Sequence, residues 1–121
     1  MQLGSLAELL GAACCVREVR IGEVTSVIVD AELTRVLGLD IRSPDGRRRF
    51  LPWVAADLER QGGVGIRSAF LLVDALDSYM RRGARRISDY AELATLRVDD
   101  DGHIANGMAV SIASRAGTSR R

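Results

Sequence analysis

Apolar positions recur through residues 20–53 in three short runs separated by turn formers. Val24, Val27 and Val29 punctuate the first run. Val36, Leu37, Leu39 and Ile41 fill the second, and Phe50, Leu51 and Trp53 the third. Runs that are short, β-branched or aromatic, and bounded by turn residues predict consecutive antiparallel strands. The spacing places these strands at residues 23–30, 35–42 and 47–54. The first pair is joined by a turn at 31–34. Ser43-Pro44-Asp45-Gly46 joins the second pair as a type I or II turn, with proline fixing φ at its second position. An earlier strand is expected over 12–19, with Gly22 allowing a bend before the next. Pro52 removes one ladder donor and so marks a strand end or a sheet edge. Residues 55–60 read as a loop or one helical turn and Gln61-Gly62-Gly63 as a turn. Residues 64–73 read as a fifth strand whose Phe70-Leu71-Leu72-Val73 run is buried.

Two stretches change period. Ser5-Leu6-Ala7-Glu8 fits a capping box, and Leu6, Leu9 and Leu10 then share a face, so a short helix over 6–10 is expected to plug one end of the sheet. Asp74 can cap a second helix, with Asp77 in its first turn and Arg81 and Arg82 in its last, each charge complementing the macrodipole. Leu76, Tyr79 and Met80 form its apolar stripe, read as core, and Gly83 ends it. Asp89-Tyr90-Ala91-Glu92 could cap another helical turn. Residues 95–98 look extended, 99–102 form a turn, and 104–112 return as a strand. The expected C-terminal β-hairpin either completes the sheet or pairs with another subunit. Val98-Asp99 followed by His103-Ile104 faintly echoes Val29-Asp30 followed by Arg35-Val36. Residues 113–121 are small, polar and basic, the composition of a flexible tail.

Bulk numbers narrow the class. At 121 residues, 47% apolar and 27% charged, the chain supports a single core. The expected organisation is a β domain with its flanking helices at 1–83, an extension carrying the hairpin at 84–112, and the tail at 113–121. A net charge of +1 gives no whole-molecule field towards nucleic acid or acidic lipid. All 17 basic residues are arginine, the codon bias of a GC-rich, bacterial-type genome. Cys14 and Cys15 are adjacent, which strains a bridge between them, and no other cysteine is present. A reducing, cytoplasmic setting is therefore expected, with the thiols as structural filler, one buried and one more exposed. No basic residue precedes the mildly apolar residues 3–15, so no signal peptide is expected there. No apolar run reaches the ~18–20 residues that span a bilayer.

The order and spacing of four motifs resemble the PRC-barrel family. They are Arg20-Ile21-Gly22-Glu23-Val24, Val27-Ile28-Val29-Asp30, Arg35-Val36-Leu37-Gly38-Leu39 and Phe50-Leu51-Pro52-Trp53. Similar proteins include the barrel of the photosynthetic reaction-centre H subunit and the C-terminal domain of a ribosome-maturation factor. The resemblance covers residues 5–70, and the leading Ser5-Leu6-Ala7-Glu8-Leu9-Leu10-Gly11 looks like the helix that opens such barrels. One departure is that the D-x-x-G turn common in similar proteins is here Arg17-Glu18-Val19-Arg20, which implies a first hairpin that is longer or differently bent. The resemblance implies a mainly β fold, a small and strongly bent antiparallel β-barrel with short flanking helices. It also implies a docking or assembly role without enzyme activity. A small barrel has a side-chain-filled interior, which agrees.

Candidate chemistry is sparse. His103 is the only histidine and sits beside a turn, with no serine or cysteine tied to it by a motif. Asp99, Asp100 and Asp101 lack the spaced ligands and terminal glutamate of a calcium loop and read as a solvated turn. No cofactor is expected. Arginines are the better candidates. By alternation Arg47 and Arg49 share one face while Arg48 joins Phe50 on the other, and Arg81, Arg82, Arg85 and Arg86 surround Gly83. Trp53 is either core or an interface anchor at the barrel rim. The partner-binding set expected from sequence is thus Arg47, Arg49, Trp53, Arg81, Arg82, Arg85 and Arg86. The expected function is a non-catalytic protein–protein interaction module, homodimeric in isolation. The alternative is an RNA- or ribosome-associated factor, by analogy of fold.

Overall fold

The computed structural model describes residues 6–58, 63–68, 71–73, 76–99 and 101–106. The chain is mainly β, and one long strand organises it. β2 (Val19–Val29) runs for 11 residues. One flank carries β3 (Val36–Arg42), which in turn pairs β4 (Arg48–Pro52), all antiparallel. The other flank of β2 is shared. β1 (Ala13–Val16) takes its first half and β7 (Arg85–Ile87) its last three residues. β1 then pairs β6 (Val64–Gly65) in parallel, and β6 pairs β5 (Asp57–Leu58). The seven strands curl strongly, because register shifts between Val24 and Ser26 and between Ile28 and Val29 bend β2. Among the described residues no ladder joins β4 to β5, so the sheet is a curled half-barrel.

The concave side holds the core. Val24, Val27, Val29, Leu39, Ile41 and Leu51 are at most 1% exposed and pack with Leu6, Leu9 and Leu93. Leu6 and Leu9 come from a 3₁₀ helix, Leu6–Leu9, that plugs one end of the curl where a helix over 6–10 was expected. Leu93 comes from α2 (Tyr90–Ala94), whose Asp89 side chain accepts from the Ala91 N–H as an N-cap.

Four expectations need correction. The strand expected over 12–19 is broken by a hairpin at Arg17-Glu18, whose φ values of 49° and 72° are those of a type I′ turn. Arg and Glu are not the residues that normally mark such a turn, so the pattern hid it. Among the described residues of the expected fifth strand, only Val64–Gly65 forms one, and its partner β5 lies where a loop was expected. Of the apolar run, Phe70 lies outside the described residues, Leu72 is buried and Val73 makes a bridge to Phe50. Not every pairing is antiparallel, since β1 and β6 run together. Finally, α1 (Leu76–Arg81) buries none of its residues fully. Of its stripe, Tyr79 meets Phe50 on the outside of the sheet and Met80 is exposed, so the stripe is not part of the core.

Residue 83 lies just before β7, which belongs to the main sheet. Beyond it, β8 (Leu96–Val98) pairs antiparallel with β9 (Ile104–Asn106). The rest of the return strand expected over 104–112, and the tail, lie outside the described residues. The β8–β9 turn docks on the β2–β3 turn: Val36 donates its N–H to the Gly102 carbonyl at 2.7 Å, and Ile104 to that of Thr34 at 2.9 Å. Both turns are stapled by the aspartate that follows the strand. Asp30 Oδ1 accepts the N–H groups of Thr34 and Arg35 at 2.7 and 3.1 Å, and its Oδ2 accepts the Thr34 hydroxyl. Asp99 Oδ1 accepts those of Asp101 and His103 at 3.0 and 2.9 Å. The echo in the sequence thus corresponds to two similarly stapled turns packed on each other.

Candidate interaction surface

The register across β2, β3, β4 and β7 sorts side chains onto two faces. Ser26 lies opposite Asp40, which lies opposite Phe50; Ile28 lies opposite Gly38 on one flank and Arg86 on the other. Directly paired residues share a face. Ser26, Ile28, Gly38, Asp40, Phe50 and Arg86 therefore lie together on the convex side, with Arg48 one step diagonal to Asp40. Ile28 and Phe50 are buried yet stand outside the main core, as a second, smaller apolar layer. Phe50 lies over Gly38, where a Cβ would come within 2.5 Å of the ring, and its other side meets Tyr79 of α1 at a centroid distance of 4.9 Å.

Asp40 is the unusual member. Its side chain is 1% exposed in the middle of an apolar strand. Ser26 Oγ donates to Oδ2 at 3.3 Å, and the guanidinium groups of Arg86 and Arg48 approach the same oxygen at 3.6 and 3.8 Å. Oδ1 is buried with no hydrogen-bond partner among the described residues. A buried carboxylate is costly unless countered, and two arginines from different strands converge to counter it. They remain 56% (Arg48) and 38% (Arg86) exposed, so each keeps donors directed to solvent. Beside them is a cleft of about 250 Å³ between the arginines and α1, walled by Phe50, Val73 and Leu76 and edged by Asp77.

Of the residues expected from sequence, Arg49 and Arg86 line this cleft. Arg85 is elsewhere, paired with Glu92 at 3.4 Å. Arg82 lies with Asp30 and Glu32 along another depression, and Arg47 and Arg81 are exposed. Trp53 is 7% exposed, belongs to the core cluster and packs against the Gly102 turn. Val54 beside it is 89% exposed. Sequence reasoning missed Arg48 and Asp40. The signals were present: Arg48 alternates with Phe50, and Asp40 interrupts an otherwise apolar Leu-Gly-Leu-Asp-Ile run. Only the strand register brings them together.

Other polar groups have structural work. Burial, and secondarily the neighbouring Cys15, pushes the Cys14 thiol up to about 11, while Cys15 is half-buried. Ligand atoms of Asp99, Asp101 and His103 lie within 4.8 Å of one another, all exposed. The His103 and Asp101 N–H groups, with the His103 ring, hold the Asp99 carboxyl below its usual range, so that carboxylate is committed to the turn. Among the described residues no helix is long and apolar enough to cross a membrane. No family model matches the chain, and no curated protein matches it either.

Proposed function

We propose that this chain is a non-catalytic protein–protein interaction module of the PRC-barrel type, working as a homodimer in isolation. One observation carries the reading. The space that the sheet curls around is filled by side chains, with Val27, Val29, Leu39, Ile41 and Leu51 wholly buried, so chemistry is left to the outside. The exterior offers what docking requires: exposed Val54, Val19 and Tyr90, short edge strands, and the arginine-lined cleft. The RNA-binding alternative draws less support, because Arg85 and Arg86 face Glu92 and Asp40.

The dimer is tested by light scattering on the purified chain across micromolar concentrations. A mass of two chains is expected, and a sharp monomer mass contradicts it. The module reading is tested by affinity capture from the native host, read by mass spectrometry. A protein retained in stoichiometric amount supports it, and capture of nothing above a tag-only control contradicts it. RNA retained with a steep salt slope would favour the alternative.

A further inference from the structure

We propose that the cleft between α1 and the β4 and β7 arginines takes an acidic side chain from a segment of a partner protein, with Arg48 and Arg86 as the anion-binding pair and Asp40 as the residue that positions them. The inference rests on the interaction-module reading for the ligand being a protein segment.

Two guanidinium groups repel each other and ordinarily stay apart. Here both lie within 4 Å of one Asp40 oxygen, at 3.6 and 3.8 Å, on a carboxylate that is itself buried. Neither distance is short enough for a hydrogen bond, and among the described residues neither fork donates one, which leaves donors for a carboxylate arriving from the cleft and suits bidentate recognition. Arg49 borders the cleft, but its register opposite Ile41 puts its side chain on the other face. Among the described residues the charges that face the cleft are Arg48 and Arg86 against Asp40 and Asp77, or 2 − 2 = 0. With Asp40 buried behind them, the two guanidinium groups are what solvent meets, beside Asp77, which suits one anionic group better than a polyanion. A phosphodiester strand would bring further charges against Asp77, whereas a glutamate or aspartate beside an apolar residue meets the arginines and lays that residue on Phe50, Val73 and Leu76. The volume, about 250 Å³, suits one or two side chains. A cleft with one buried acid behind two partly exposed arginines is the charge complement of an acidic, apolar-flanked peptide.

The test uses the full chain and a short, end-capped fluorescent peptide with a glutamate-leucine-glutamate core, read by anisotropy at low salt. Its glutamine-leucine-glutamine counterpart is the control. Arg48→Gln with Arg86→Gln should weaken binding of the glutamate peptide about tenfold or more, as the glutamine replacement should. Arg20→Gln with Arg97→Gln lowers the net charge of +1 by the same two units at exposed positions outside the cleft, and should leave affinity within about twofold. Equal weakening by the two pairs, or no binding by the native chain, overturns the proposal. So does a short RNA that displaces the peptide and loses affinity with the same Arg48 and Arg86 substitutions. If the Arg48/Arg86 variant fails to fold with Asp40 left unpaired, adding Asp40→Asn removes the buried charge with its partners, and the same tenfold loss is expected. Asp40→Asn alone adds a positive charge. Attraction alone would then tighten binding, whereas loss of the clasp weakens it several-fold, and tightening overturns the role given to Asp40. Capture of a host partner equally by native chain and Arg48/Arg86 variant removes the cleft and leaves the module. Peptide binding at these arginines without any host partner removes the module and leaves the cleft.

Discussion

Two glycines with almost the same backbone make a matched pair. Gly46 in the β3–β4 turn has φ +87° and Gly102 in the β8–β9 turn has φ +88°. An alanine at either must adopt the left-handed region, at a cost of ~1–2 kcal/mol, partly offset by the lower entropy of the unfolded chain. For Gly46 nothing else follows, since an added Cβ meets no atom within 4 Å. For Gly102 the Cβ would come within 2.8 Å of Trp53 Cδ1, 3.0 Å of Nε1 and 3.3 Å of the Val36 carbonyl. Trp53 is buried between the sheet and this turn, so the ring or the turn must move, adding an overpacking cost of ~1–3 kcal/mol. Gly46→Ala should therefore cost about 1 kcal/mol and Gly102→Ala about 2–4 kcal/mol. Urea unfolding followed by fluorescence gives both, and the chain has one tryptophan, so the signal reports Trp53 alone. Gly102→Ala should also shift its native emission to the red, while Gly46→Ala leaves it unchanged. Equal costs for the two substitutions, with no change in emission, would refute the packing of the C-terminal turn on Trp53.

Three further outcomes are expected. Replacing Arg17-Glu18 by Asn-Gly relieves two non-glycine residues of φ 49° and 72° and should stabilise the chain by about 1 kcal/mol; a lower urea midpoint would mean that the hairpin turns elsewhere. Burial raises the Asp30 carboxyl, but the Thr34 hydroxyl and the Thr34 and Arg35 N–H groups outweigh it and hold its pKa below the ordinary 3.8. A depressed folded value contributes stability above the unfolded pKa that is lost as pH falls through the folded one. Asp30→Ala should thus cost about 1–2 kcal/mol at neutral pH, with the gap to the native chain narrowing below the ordinary carboxylate range; a gap constant down to strong acid contradicts the staple. Because burial raises Cys14 to about 11, a thiol reagent at neutral pH should label only Cys15 in the native chain and both cysteines after unfolding, as counted by mass spectrometry.

The sheet's centre was legible because it obeys local rules. Strands Val36–Arg42 and Arg48–Pro52 fall within two residues of those expected, and the Pro44-Asp45-Gly46 turn lies between them. What escaped depends on partners distant in sequence. Arg17-Glu18 turns without the usual residues because β1 and β2 are held by the sheet around them. Two-residue strands such as β5 and β6 have no period to read, and β7 reads as an arginine cluster until Ile87 is seen opposite Val27. The site divides in the same way. Arg86 was visible as one of a group of exposed charges, but Asp40 could be recognised as its counter-ion only once β2, β3 and β7 were in register. Trp53, beside a proline at a strand end, read as either core or rim anchor because the turn that covers it comes 49 residues later, at Gly102.

Amide chemical-shift mapping of the isotope-labelled chain against the protein it captures from its host tests the central claim most directly. The convex-face account predicts that the perturbed signals cluster on β4, α1 and β7, around Arg48, Phe50, Leu76 and Arg86, with the Arg48 and Arg86 side-chain N–H signals moving most. Perturbations confined to the far end of the sheet, at β1, β5 and β6, would contradict it.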